Sequence, residues 1–240
     1  MATMRKYLEG RRIVLTGISR GVGYETAKRV LQEGARVLGV SRDAARLAKA
    51  AESLGVLGDF VAVQADLADA SAPGLVANAV QERWGSLDIV MNNAAIMVKG
   101  GEPVSFEDEP AGAFERSVEE NLVAPYRLTM QLLPLLRRGD EPRIVNVGSG
   151  AGTLEGLRLR GIASYRLSKW ALHGMTVLLA THLAGEVAVN AFDPGWVKTD
   201  LGGPNAPGNA AEAAEGALAV LTLPFTVTGK FWKDGKEIAF

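Results

Sequence analysis

The stretch RIVLTGISRGVGYETAKRV, residues 12–30, passes from an aliphatic, β-branched run through three glycines into a helical pattern. It reads as a strand over 12–16, a loop around Gly17, Gly21 and Gly23, and a helix over 22–33. Outward from this unit the same alternation recurs. Short apolar runs stand at 35–40, 59–64, 87–92, 143–148 and 187–192. Helical stretches at 43–54, 70–84, 111–137 and 163–184 separate most of them, and a last helix falls near 210–221. Strands alternating with helices predict a parallel sheet covered by helices on both faces. Near-continuous apolar strands fit burial from both sides. The fold class is therefore α/β, a doubly wound and mainly parallel sheet. In the tail GKFWKDGKEIAF, the pair Asp234–Gly235 predicts a tight turn and a short hairpin.

The chain has 240 residues, 48% of them apolar, and one domain over 1–240 is expected. A net charge of −1 argues against a dedicated nucleic-acid surface. The absence of cysteine removes disulfides and thiolate metal sites, and cytoplasmic location is the expectation. No run approaches the about 18 apolar residues of a membrane span. The opening MATMRKYLEGRRIVLTG is basic but has no long apolar segment before the first strand. Arg11–Arg12 thus reads as a strand flank rather than an export signal. His173 and His182 stand apart from any metal-ligand spacing, so no metal is expected and both read as helix-packing or surface residues.

At a βα junction the helix N-terminus offers free N–H groups and a positive dipole end to phosphate. Gly17 suits the sharp turn, while Gly21 and Gly23 let backbone come close. The spacing is G-x-x-x-G-x-G rather than the commoner G-x-G-x-x-G. A plain glycine-rich turn would look similar, but the place at the first junction favours a dinucleotide and a Rossmann-type unit. Ser19 and Val22 fall within the same loop and join the expected cofactor contacts. The second strand ends in Ser41–Arg42, where enzymes that take NAD usually carry a carboxylate for the ribose 2′-OH. A guanidinium suits a 2′-phosphate instead. Arg20, among the glycines, falls on the other side of the same ribose, and backbone N–H groups already serve the pyrophosphate. The pair predicts NADPH/NADP+, with NADH second; the alternative is two solvated surface arginines. After the third strand, Asp66 and Leu67 fall where an adenine edge is read, or Asp66 is an N-cap.

Tyr165 and Lys169 in ASYRLSKWALHG are four apart and share a helix face. A nearby ammonium favours the phenolate and would bring a phenol toward working pH for proton transfer. Ser149, after the fifth strand, stands at a parallel-strand tip, where α/β active sites collect. Each signal alone also fits an incidental pair or a turn serine. In NLVAPYRLTMQLLPLL, Pro125 has no N–H for the carbonyl of Asn121, which would be left free for water; a simple kink or a helix start there is the alternative.

Taken in order, Thr16-Gly17-x-x-x-Gly21-x-Gly23, Asn92-Asn93-Ala94, Asn121, Ser149, Tyr165-x-x-x-Lys169 and Pro194-Gly195 resemble the short-chain dehydrogenase/reductase family, in its compact single-domain branch. The likeness spans nearly the whole chain. It implies that Tyr165 is the proton donor and acceptor and that Ser149 orients a carbonyl. Lys169 would lower the tyrosine pKa and hold the nicotinamide ribose, and Asn121 would support a water path to Lys169. Asn93 would pin the central strands, with Ala94 beside it at the cofactor. Pro194, Gly195, Val197 and Thr199 match the family's nicotinamide-contacting stretch. The following Gly/Pro/Asn-rich segment has the composition of a mobile lid. Ala95 stands where the family has glycine, and the stretch between Ser149 and Tyr165 is longer than the family's shortest form. That stretch carries Arg158 and Arg160, which either meet an anionic substrate or are solvated.

The resemblance thus implies an NADPH-dependent carbonyl reductase, reversible as an alcohol dehydrogenase, acting on a small carbonyl or alcohol. A non-catalytic NADP(H)-sensing or interaction protein on the same fold and an NAD-preferring alcohol dehydrogenase are the alternatives. Helix 163–184 is apolar on more than one side, which together with the family likeness predicts a homodimer or homotetramer.

Overall fold

The computed structural model describes residues 7–98 and 106–240, Phe106 by its backbone only. Residues 1–6 of the basic opening lie outside the described residues. The strands are β1 (Arg12–Thr16), β2 (Arg36–Ser41), β3 (Phe60–Gln64), β4 (Ile89–Asn92), β5 (Arg143–Val147), β6 (Ala188–Phe192), β7 (Phe231–Lys233) and β8 (Lys236–Ile238). They form one sheet in the order β3-β2-β1-β4-β5-β6-β7-β8. All neighbours run parallel except β7 and β8. The chain starts in the middle, builds outward through β2 and β3, then returns to β4 on the other side of β1. That reversal opens a crevice beyond the strand ends, where α/β sheets bind ligands.

Helices cover both faces: α1 (Gly21–Gln32), α2 (Ala44–Gly55), α3 (Ala72–Arg83), α4 (Ala113–Val118), α5 (Ala124–Leu136), α6 (Leu154–Leu157), α7 (Ala163–His182) and α8 (Ala210–Leu221). Consecutive strand residues serve opposite cores, because successive side chains leave opposite faces of the pleat. Ile13 and Leu15 pack with Val30 of α1, Leu47 of α2 and Ala217 of α8. Val14, between them, packs with Val76 of α3, Leu128 of α5 and Ala180 of α7. With two cores to fill, the central strands have no polar face. This is why they read as unbroken apolar runs.

Polar bonds fix the sheet at both ends. At the end away from the crevice, Asp88 is 2% exposed and accepts from Arg12 N (2.8 Å), Arg12 Nε (2.9 Å) and Asp140 N (2.8 Å). Burial alone would push its carboxyl up, but the Arg12 hydrogen bonds outweigh it and hold the group below the usual carboxylate range. Nearer the crevice, Asn92 Nδ2 donates to Asn146 Oδ1 (2.8 Å) and Thr129 Oγ1 (3.1 Å), and Asn146 Nδ2 to Thr176 Oγ1 (2.9 Å). This buried ladder ties α5, β4, β5 and α7 into one layer stack.

The stretch 111–137 differs from the single helix its periodicity predicts. A π turn, Glu119–Val123, joins α4 to α5, with the Ala124 N–H bonding the Glu119 carbonyl five residues back. Pro125 lies in the first turn of α5, where a missing N–H costs least. The helix-start reading thus holds in part: α5 opens at the proline, and a π bulge rather than a break joins it to α4. The tail hairpin forms as predicted, with Asp234 (φ 48°) and Gly235 (φ 72°) both left-handed as a type I′ turn demands.

Candidate active site

A cavity of about 900 Å³ runs along the C-terminal edge of the sheet. Gly17, Ser19, Arg20, Gly21, Val22 and Gly23 form one wall, and Ser41, Arg42, Asp66 and Leu67 another. Asn93, Ala94, Ser149, Tyr165, Lys169, Pro194, Gly195, Val197 and Thr199 line the remainder. Of the catalytic and cofactor residues read from the sequence, Asn121 does not line the cavity and stands behind it, 1% exposed.

The glycine loop is shaped by close approach. Gly17 has φ +73°, and a Cβ there would lie 3.0 Å from Ala94 Cα. A Cβ on Gly23 would fall 2.4 Å from both Gly17 O and Asn93 Nδ2, a distance no side chain tolerates. Asn93 fastens this loop to β4, donating Nδ2 to Thr16 O (2.8 Å) and its N–H to Thr16 Oγ1 (3.0 Å). No side chain caps α1 at Arg20, so its first N–H groups face the cavity wall without a side-chain acceptor.

Three arginines ring one end: Arg20, Arg42 and Arg46. Arg20 pairs with Asp200, which also lies 3.5 Å from Arg46 Nη1. Arg42 Nη1 meets Glu120 Oε2 at 3.1 Å. Arg46, Glu120 and Asp200 were not legible as a group. They come from α2, the π turn and the loop after β6, which only the fold brings together. Asp66 accepts its own chain's Ala68 N–H at 3.1 Å while lining the cavity, so cap-like bonding and wall position coexist.

At the other end, Tyr165 is 9% exposed and Ser149 faces the same cavity, its Oγ accepting the Ala151 N–H at 3.1 Å. Burial pushes the Tyr165 hydroxyl up to about 12, with the Ser149 hydroxyl opposing and the Asp193 charge adding to the rise. The lowering expected of Lys169 does not set the net direction, which burial decides. Lys169 is 2% exposed, and its Nζ donates to Val147 O (2.8 Å), 5.8 Å from the centre of the tyrosine ring. Burial pushes the Lys169 ammonium down to about 8, and Asp193 resists that shift. The ammonium is turned to a carbonyl and sits over the ring rather than at the phenol oxygen. Its field on that oxygen is therefore outweighed by desolvation.

Asn121 is fully engaged. Its Oδ1 accepts from Ile96 N (2.8 Å), and its Nδ2 donates to Ile96 O (2.8 Å) and Ser168 Oγ (3.0 Å). The side chain clamps the irregular segment after β4 to α7. A water path from Asn121 would have to start at its main-chain carbonyl, for which Pro125 has no N–H.

Asp193, not singled out by the sequence, is 3% exposed at the tip of β6 and lines the cavity. Its Oδ1 accepts Gly195 N–H (2.9 Å) and its Oδ2 lies 3.2 Å from Lys233 Nζ on β7. The partner is forty positions away, so no local pattern links the two. Ile162, which caps α7 at φ 48°, also lines the cavity. Left-handed backbone at a β-branched residue is strained and is held by its surroundings. Glu109 bonds Ser164 N (3.1 Å) and Ser164 Oγ at that helix start.

Arg158 and Arg160 do not line the cavity; Arg158 pairs with Glu155 in solvent (2.8 Å). The segment after Pro194 is more tightly bonded than a mobile lid's composition suggested. Lys198 N bonds Gly208 O (2.9 Å), Gly208 N bonds Trp196 O (3.1 Å), and Trp196 Nε1 bonds Gly202 O (2.8 Å). No group of three or more potential ligands for a metal occurs among the described residues. No helix among them is long and apolar enough to cross a membrane.

Comparison with known proteins shows the family. The family model for short chain dehydrogenase matches residues 11–209. The rhamnolipids biosynthesis 3-oxoacyl-[acyl-carrier-protein] reductase of Pseudomonas aeruginosa is 36% identical over 78% of this chain and 73% of its own. The NADPH-bound carbonyl reductase from chicken fatty liver superimposes with a TM-score of 0.86 at 27% identity, covering 97% of this chain and 100% of that one. The Pseudomonas aeruginosa RhlG/NADP active-site complex gives 0.85 at 31% identity, covering 97% and 98%. With the motif residues gathered on one cavity, the chain belongs to the short-chain dehydrogenase family and is an NAD(P)-dependent oxidoreductase of the short-chain dehydrogenase/reductase type.

Proposed function

We propose that this protein is an NADPH-dependent reductase of a ketone or aldehyde, reversible as an alcohol dehydrogenase, with one domain carrying both cofactor and substrate sites. The observation that carries the reading is the meeting of Tyr165, Ser149 and Lys169 at one end of a cavity whose other end is ringed by Arg20, Arg42 and Arg46. The residues fit the cofactor. The glycine wall is closed to any Cβ at Gly17 and Gly23, as a close approach of pyrophosphate to backbone requires. The arginines suit a 2′-phosphate, and Ser41 places no carboxylate against it. The complexes of the carbonyl reductase and RhlG with NADPH and NADP support the same preference by likeness.

The bound cofactor would supply the hydride. The chain's own groups manage the oxygen. Ser149 holds the carbonyl, and Tyr165 gives the proton to the oxygen as negative charge develops there. A hydroxyl pushed up to about 12 enters the reaction protonated at neutral pH, which suits reduction. The Lys169 charge then favours the tyrosinate left behind. An NAD-linked alcohol dehydrogenase is the second reading, favoured by one observation: Arg20 and Arg42 are each paired with a carboxylate, Asp200 and Glu120.

The test is a panel of ketones, aldehydes and 3-oxoacyl thioesters with depletion of NADPH or NADH as readout. Turnover with NADPH well above that with NADH supports the first reading. Faster alcohol oxidation with NAD+ supports the second, and no turnover with any partner leaves the sensing alternative.

A further inference from the structure

The catalytic face of α7 carries a third titratable group. His173 follows Lys169 by one turn, as Lys169 follows Tyr165, so the three share a stripe. It is 1% exposed, and the reaction described above makes no use of it. Its ring spans the short turn at the tip of β5 that presents Ser149. Nε2 lies 3.3 Å from the backbone N–H of Ser149, and Nδ1 lies 3.1 Å from the carbonyl oxygen of Gly152. Both partners are main-chain groups with fixed roles. An N–H can only donate, so Nε2 carries no proton; a carbonyl can only accept, so Nδ1 carries one. The bonds thus select the neutral Nδ1–H tautomer. Burial and the Lys169 charge hold the imidazole down to about 4, in keeping with that state, with Gly152 and Asp193 opposing.

The turn is cut to fit the ring. A Cβ on Gly148 would lie 2.4 Å from Nε2, and one on Gly152 would lie 2.7 Å from Lys169 Cβ. Behind the ring stand Phe231 of β7 (centroids 4.4 Å) and the C-terminal Phe240 (5.4 Å). The facing charged groups are Lys169 on α7 and Asp193 at the end of β6, the latter paired with Lys233.

We infer that His173 is a positioning residue: as a neutral Nδ1–H imidazole it braces the Ser149–Gly152 turn from both ends and so sets the Ser149 hydroxyl against Tyr165. The inference rests on the reductase reading for its effect on rate, but not for the tautomer. Protonation would put two donors face to face at Ser149 and release that end of the turn.

Two measurements test it. Nitrogen NMR of the full, cofactor-free protein should find His173 as the Nδ1–H tautomer, unprotonated from pH 8 down to about 5. His173→Leu, which keeps bulk and loses both bonds, should lower kcat by up to about 100-fold, the cost of a small misplacement of a reacting group. Its KM for NADPH should hold, and His173→Gln, with one donor and one acceptor, should recover most of the rate. A merely structural role would move melting temperature in both variants without this split. An Nε2–H tautomer, an ordinary imidazole titration, or full kcat in His173→Leu where Tyr165→Phe is inactive would overturn the inference. If the wild type reduces no carbonyl, the reductase reading fails. The tautomer and the response of the Ser149 amide to His173→Gln then decide the positioning on their own. The same readouts decide it if the leucine variant does not fold.

Discussion

The two ends of the cavity set different demands on single residues. At the arginine end, each guanidinium must leave a carboxylate before it meets a phosphate. A hydrogen bond to a charged group contributes about 1.5–3 kcal/mol. Breaking an exposed pair costs about 0.2–1 kcal/mol. Arg20 and Arg42 are about half exposed, at 48% and 52%, so screening takes a further share. A net preference of about 1–3 kcal/mol remains, or about 5- to 150-fold for NADPH over NADH. Arg42→Asp should reverse most of it, since a carboxylate accepts from a ribose hydroxyl and repels a 2′-phosphate. The ratio of kcat/KM with the two cofactors reports it, and an unchanged ratio would leave Arg42 as surface decoration. At the catalytic end, Lys169 titrates near 8 in the free protein. The kcat/KM for NADPH reports the free enzyme. It should fall as pH rises through about 8, because a neutral amine no longer supports the tyrosinate. A flat profile to pH 9.5 would show that the Lys169 charge is not needed.

Among the elements, the glycine loop and α7 were legible and the joints between elements were not. Glycine spacing, Tyr165 and Lys169 obey local rules, so a single chain segment reveals them. The π turn was hidden because Pro125 states only that an ordinary helix fails, not how it adapts. Asp193 and Lys233 meet only because β7 lies beside β6, and His173 matters only through the turn packed on it. The same distinction yields two predictions. Gly23→Ala forces a Cβ within 2.4 Å of Gly17 O, so the loop must shift. Overpacking of this kind costs about 1–3 kcal/mol, and NADPH affinity by calorimetry should drop with it; an alanine variant that binds normally would contradict the close-packed wall. At the far end, Asp88→Ala leaves Arg12, itself 23% exposed, without its main partner, a loss of about 1.5–3 kcal/mol for a hydrogen-bonded charge. The Asp88 carboxyl is held below its unfolded value near 3.9. Its contribution is therefore present above about pH 4 and lost as pH falls below that. Wild-type melting temperature should drop steeply on that acid side and the variant's less so; parallel curves would place the acid sensitivity elsewhere.

At the scale of the molecule, the doubly wound sheet follows from alternation of segments, and the two cores follow from strands apolar on both faces. The association state depends on what the helices leave outside. On α7, Leu172 and Met175 are buried, whereas Trp170, Val177 and Leu178 stay 36%, 42% and 61% exposed on one face. The helix is thus two-sided, as its composition suggested. We expect that face to meet a second copy, burying about 800 Å² per partner. Leu178→Glu would set like charges across a two-fold axis, so sedimentation should show wild-type dimers or tetramers and variant monomers. A wild type that is monomeric at assay concentration would remove this expectation.

Tyr165 carries the central claim, and one substitution isolates it. Tyr165→Phe keeps the ring and removes only the proton. In a single-turnover reaction with NADPH and the best carbonyl of the panel, the rate should fall by about 10²- to 10⁴-fold, the usual worth of a positioned acid. Melting temperature and NADPH affinity should hold close to wild type. A folded variant that oxidises NADPH at the wild-type rate would contradict the assignment of Tyr165 as the proton donor.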